Sequence, residues 1–387
     1  MEFNQVKAFE PLRLAAEQIL SAFFGDRVFI KSIERLTEPG RRNMLWRCWI
    51  DPVKDLPSSF ILKKVEAEYN PDDFNSADTR RLFNDWIGSQ FLNQISSQAQ
   101  HSPYFYGGDR DLGFILIEDV QHQNSLAEIL LENDSVKAEW ALLQYATCLG
   151  QLHADTLGKG DKFDRLYKTV SQDMKPYKLG VNIAQNRLML ENLGINAHGN
   201  WLSDLEIIRQ TVNNPGKFMA YIHVDACPDN ILNVGSKLRL IDFETGFFGC
   251  AFLDAACGRM MFPSCWCSKR LPDNIILKME NTYRELLIQK CSAAADDKTF
   301  NRTLVHACGW WLLYTLKRHL AKALKTDKNF GISSIRQRIL ARLKTFIAIS
   351  QEYNLLSGLR DTSSQLLDLL NKRWLDVPDL SLYPAFK

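Results

Sequence analysis

Between Tyr221 and Glu244 the chain reads YIHVDACPDNILNVGSKLRLIDFE, and no other stretch restricts its folding as tightly. His223, Asp225, Asn230, Asp242 and Glu244 recur at fixed intervals between short apolar runs. Leu238-Arg239-Leu240-Ile241 reads as a strand that delivers Asp242 and, two residues on along the same face, Glu244. Pro228 and Asp229 predict a turn between Asp225 and Asn230, so that those two side chains converge from one loop.

These residue types suit phosphoryl transfer. That reaction asks for a carboxylate to position an attacking hydroxyl and accept its proton, and for hard oxygen ligands to Mg2+. Asp225 fits the first role. Asn230 and Asp242 fit the second, and Glu244 can add a further metal contact.

The stretch resembles the aminoglycoside phosphotransferase and choline kinase family. Its catalytic loop runs His-x-Asp-x4-Asn, here His223 to Asn230, and its metal motif is close to Ile-Asp-Phe-Glu, here Ile241 to Glu244. The similarity continues through Phe248-Gly249 to Leu253-Asp254-Ala255-Ala256, like the segment that braces the family's catalytic loop. The resemblance implies a two-lobed, protein-kinase-like α+β fold. Residues 1–120 would form a small lobe with an antiparallel sheet, and 121–387 a larger, mainly helical lobe. It also implies ATP and Mg2+ as cofactors, ATP lying between the lobes, and a small-molecule hydroxyl as acceptor. His223 would fix the loop and Asp254 would brace it.

Further residues follow from the same resemblance. Phe60-Ile61-Leu62-Lys63 matches the apolar run that ends in the lysine binding the α and β phosphates. Lys64 points to the opposite strand face, so only one of the two can serve, and Lys63 is favoured. Asp85, on a helix expected from Arg81 to Ile95, would hold that lysine, where the family more often has Glu. The turn Glu38 to Asn43 would cover the triphosphate, with Asn43 at a position where relatives often carry Asn; it holds one glycine and no Walker-type motif. Gly113 to Val120, including Glu118 and Val120, matches the segment whose backbone binds adenine. Val224 stands where most relatives have Gly, which keeps a second reading open: a nucleotide-binding pseudokinase without turnover. Against a protein kinase stand Cys227, where those enzymes place lysine, and the eleven residues between Asp242 and Asp254, too few for a peptide-docking segment.

Composition narrows the remainder. Lys plus Arg number 47 against 45 Asp plus Glu, a net charge of +2, which argues against nucleic acid or an anionic membrane as partner. The basic run Arg336 to Lys344 reads as a solvated helix face. Charges through Met1 to Gly25 exclude a signal peptide, and no run reaches the roughly 18 apolar residues of a spanning helix. Nine cysteines without repeating spacing point to a reducing cytoplasm rather than a disulfide framework, with Cys265 and Cys267 as packed or pocket-lining thiols. Apolar spacing predicts a helix from Phe9 to Phe24 and strands at Val28–Leu36, Met44–Asp51 and Ser59–Val65. Further helices are expected near 181–193, 201–212, 275–290, 299–324, 333–353 and 363–374. His153 reads as a structural hydrogen bonder. Trp266, Arg270, His306, Trp310 and Trp311 are candidates for an acceptor pocket, although Trp310 and Trp311 point about 100° apart on a helix, which puts at least one in the core.

Overall fold

The computed structural model describes residues 3–38, 41–52, 54–65, 69–95, 101–121, 124–170, 180, 183–195, 197, 199–235 and 237–387. Pro39 and Gly40 of the expected phosphate turn, and the start of the helix expected at 181, lie outside them. The chain forms two compact units, one of residues 1–122, 161–175 and 239–246, the other of 123–160, 176–238 and 247–387.

In the first unit α1 (Phe3–Phe24) precedes a sheet of β1 (Ile30–Arg35), β2 (Asn43–Ile50) and β3 (Ser59–Val65); α2 (Ala77–Ile95), β4 (Phe105–Asp109) and β5 (Phe114–Glu118) follow. The sheet is antiparallel, in the order β1-β2-β3-β5-β4, and its first three strands are the expected meander. Alternation along β3 decides where its lysines go. Phe60 and Leu62 join Phe9, Leu12, Ala16 and Leu20 of α1 in one core, while Val65 packs with Leu82 of α2. Lys63 shares the face of Val65, so the same apolar pattern that seats α1 sends this lysine toward α2.

The second unit begins with α3 (Leu126–Leu131) and α4 (Ser135–Thr156). Next comes α5 (Gly160–Val170), most of which counts with the first unit and sets Phe163 edge-on against Phe91. Then follow α6 (Ile183–Glu191), α7 (Trp201–Asn213), β6 (Met219–Ile222), β7 (Ile231–Val234), β8 (Lys237–Leu240), β9 (Phe247–Cys250), α8 (Phe252–Ala255), α9 (Asp273–Ile288), α10 (Asp297–Ala323), α11 (Ile335–Glu352) and α12 (Ser357–Arg373). The α+β class is as expected. Helix α4 lies close along α9 because position 150 is glycine: a Cβ there would come within 3.0 Å of the Leu286 Cβ. Strands β6 and β9 pair antiparallel, and β6 leads into the loop that carries His223, Asp225 and Asn230. No helix among the described residues is long and apolar enough to cross a membrane.

Two expectations about helices are corrected. The basic run on α11 is not a solvated face, since Arg338 and Arg342 are 3% and 0% exposed. Arg342 donates to the carbonyls of Met260 and Met261 and to the hydroxyls of Ser268 and Thr315. Arg338 donates to the carbonyls of Cys265, Trp266 and Phe330 and to Ser333 Oγ. Burial pushes the two guanidiniums down to about 10 and about 9, which still leaves both charged at neutral pH. A guanidinium with a fork of donors satisfies turn carbonyls that no helix or sheet can reach, and helical periodicity alone cannot reveal such a job. The second correction concerns the tryptophans. Trp310 and Trp311 are both buried, and Trp311 Nε1 donates to the Leu253 carbonyl at 2.7 Å, so both belong to the core.

Replacing Arg342 with Met strips those carbonyls of their donor and is expected to lower stability by about 3 kcal/mol in urea unfolding. Unchanged stability would mean that burying the charge costs as much as its hydrogen bonds return.

Candidate active site

In the first unit the sequence-predicted residues gather around Lys63. Its Nζ lies 2.6 Å from Asp85 Oδ2 and 2.6 Å from Asp242 Oδ1. Lys64 turns the other way and donates to the Leu112 carbonyl. Asp85 also accepts the Phe243 N–H through Oδ1 at 3.0 Å, and Asn84 donates to the Glu244 carbonyl. Consecutive residues of α2 therefore clamp the backbone that presents Asp242 and Glu244. The shorter side chain of aspartate reaches Lys63 because α2 is held this close. Glu244 is buried, bonded to the Asn43 amide at 3.2 Å and paired with Arg42.

The electrostatics favour a cation. Lys63 and Arg42 face three carboxylates, Asp85, Asp242 and Glu244, which leaves an excess of negative charge. Burial alone would drive Lys63 down, but Asp242, Asp85 and Glu244 outweigh it and hold the ammonium above its ordinary value. Burial pushes Asp85 up against the pull of Lys63. Burial and repulsion from Asp242 raise Glu244. Glu118 stands apart from this group: its carboxylate is taken by Arg239 at 2.6 Å and by the Tyr104 N–H. Val120 is buried beyond the end of β5.

In the second unit the loop after β6 carries His223, Asp225 and Asn230. Asp254, fully buried, accepts the backbone N–H of His223 at 2.7 Å and of Val224 at 2.8 Å, one on each oxygen. His153 lies between Asp254 and the Tyr283 hydroxyl, at 3.3 and 2.9 Å, a structural position. Burial raises Asp254, yet the hydrogen bond from His153 and the loop amides win and its carboxyl sits below the usual range. Asn230 donates its amide nitrogen to the Asp225 carbonyl at 3.0 Å, which leaves Oδ1 as the atom able to ligate a metal. Tyr145 holds the Ala226 carbonyl, and Trp266 Nε1 holds Asp229.

Val224 adopts φ 65°, as does Asp242 at φ 67°. Left-handed backbone favours glycine, tolerates aspartate and penalises a β-branched residue by about 1–2 kcal/mol. The conformation explains why glycine suits the position and why valine there is strained.

One expectation about cysteine is overturned. Cys227 and Cys265, 38 residues apart, are joined by a disulfide with their Cα atoms 5.5 Å from each other. Cys265 is thus bridged to the loop of Asp225 and Asn230 and is not a packed thiol. No spacing rule links the two positions; the turn that Arg338 and Arg342 hold brings them together. Sequence reasoning also missed Tyr283, whose only signal was an aromatic on an amphipathic helix, and it placed Arg42 in the phosphate turn without foreseeing its pairing with Glu244.

No protein-family model matches the chain, and no curated protein matches it in sequence. Among solved structures it is similar to a choline/ethanolamine kinase family protein from Mesorhizobium loti, at 15% identity and TM-score 0.46, over 90% of this chain and 98% of that one. It is also similar to an ethanolamine kinase from Plasmodium vivax, at 12% and 0.45, over 83% of each chain. A macrolide 2'-phosphotransferase from Brachybacterium faecium matches at 14% and 0.42, over 80% of this chain and 97% of that one. At such identities these likenesses transfer no residue roles to this chain.

Two variants probe the loop. Asp254→Asn is expected to cost about 3 kcal/mol at neutral pH, because buried amides lose a charged acceptor. Since folding depresses the Asp254 pKa, its contribution exists above the unfolded value of about 3.9 and is lost as pH falls through the folded one. Denaturation curves of the two proteins should therefore begin to approach each other as pH falls below about 4 and meet only below the folded pKa. Val224→Gly should raise stability by up to about 1 kcal/mol, the relieved strain exceeding the flexibility gained by the unfolded chain; a clear loss in thermal unfolding would refute the strain.

Proposed function

We propose that the protein is a phosphotransferase that moves the γ-phosphoryl group of ATP to a hydroxyl of a small molecule, with Mg2+ as cofactor. The observation that carries this reading is Lys63, whose ammonium is held at 2.6 Å by both Asp85 and Asp242. A fixed, fully charged lysine is what nucleotide phosphates require, and Asp242 at the same point offers a hard oxygen to a metal. Lys63 grips the phosphates. Asp242 and Glu244 supply oxygen ligands whose surplus negative charge fits Mg2+, and the Asn230 Oδ1 is the candidate metal ligand of the second unit. When bound, Mg2+ offsets the charge of the phosphates. Asp225 orients the acceptor hydroxyl and takes its proton, while Asp254 keeps the loop amides in register. Asn43 and the backbone near Glu118 and Val120 contact the nucleotide. Cys227 in place of lysine supports a small-molecule acceptor over a peptide.

Thermal shift tests the reading. ATP with Mg2+ at 100 times its dissociation constant should stabilise the wild type by about 2.7 kcal/mol, and Asp242→Asn should lose that shift. A screen of amino alcohols, amino sugars and sugars should then show phosphate transfer that Asp225→Ala abolishes while keeping the nucleotide shift. No shift with ATP or GTP sinks the proposal. Binding without transfer to any acceptor favours a pseudokinase.

A further inference from the structure

Among the described residues seven cysteines are buried and outside any disulfide, and the one disulfide begins two residues after Asp225. Cys227 Sγ lies 3.0 Å from Asp225 Oδ1 and 3.3 Å from Ser264 Oγ. In the bridged state that sulfur carries no proton, so the carboxylate faces its lone pairs. A thiol in the same place donates S–H to Oδ1 and fixes the carboxylate, with Oδ2 left to accept a proton. The bridge therefore decides whether Asp225 has a donor beside it.

Four of the other thiols are held back from exchange. Burial pushes the thiols of Cys48, Cys250, Cys267 and Cys308 up to about 12, which suppresses the thiolate needed for exchange. Cys227 and Cys265 are themselves only 4% and 1% exposed, and the turn over the bridge reaches solvent at the adjacent Trp266, 37% exposed.

We propose that Cys227 and Cys265 form a reversible dithiol–disulfide site that takes a low-molecular-weight thiol or disulfide as exchange partner, and that the dithiol state is the one in which Asp225 works. The second clause rests on the phosphotransferase reading. In reduction, one external thiolate attacks a bridge sulfur, forming a mixed disulfide and releasing the other cysteine. A second external thiolate attacks the external sulfur of that mixed disulfide and releases the remaining cysteine. Two electrons pass to the bridge, two protons end on Cys227 and Cys265, and the external thiols leave as their disulfide. Oxidation is the reverse.

The test treats the native full-length protein with reduced or oxidised glutathione, alkylates it with iodoacetamide, and maps the label by mass spectrometry. Label confined to Cys227 and Cys265 after reduction, and lost after reoxidation, is the expected result. Label on these two before any reduction, failure to label them without denaturant, or equal label on the other seven overturns the exchange site. Turnover of ATP with Mg2+ and an acceptor should rise about tenfold on reduction through kcat, with KM for ATP unchanged. Cys265→Ser, which cannot bridge, should match the reduced enzyme in either buffer. A kcat that ignores both changes overturns the control clause. Absence of turnover in every state removes the phosphotransferase reading and the control clause with it, while the labelling still decides the exchange site.

Discussion

Much of the second unit depends on one buried carboxylate. Asp254 is fully enclosed and gives each of its oxygens to a backbone amide, of His223 and of Val224. A charge in such a place is tolerable only when every lone pair is answered, and His153, itself anchored by Tyr283, completes the shell. The loop cannot leave its path without stranding that charge. This restraint can hold Val224 in a backbone region that valine disfavours, and it fixes the direction from which Asp225 and Asn230 emerge.

The first unit uses the same physics with opposite sign. There a buried ammonium, Lys63, is answered by Asp85 and Asp242, and α2 extends the arrangement by bonding to the backbone at Phe243 and Glu244. The sheet places Lys63 on the α2 face because its neighbours Phe60 and Leu62 are needed under α1. Packing and electrostatics thus agree on one strand register. The result is a cluster with more carboxylate than cation, held rigidly enough that a divalent ion is a natural complement.

The motifs were legible because each depends on short-range spacing. His223, Asp225 and Asn230 share one loop, Asp242 and Glu244 share one strand end, and Lys63 sits in a β3 whose alternation can be read directly. Asp85 was legible only through its place on a helix after β3. What escaped was long-range. Arg338 and Arg342 look like surface charges by helical spacing, yet they cap carbonyls of a distant turn. Nothing near Cys227 announces Cys265, and nothing near His153 announces Tyr283.

By itself the sequence determined the α+β class, the meander, the succession of helices and the residue types offered for phosphoryl chemistry, since periodicity and local turn chemistry decide these. Only the tertiary structure decided that both tryptophans of α10 are core, that Arg338 and Arg342 are buried against a turn, and that the loop after Asp225 is tied to Cys265. Those outcomes depend on which groups must find a partner once water is excluded, and the partners lie tens of residues away along the chain.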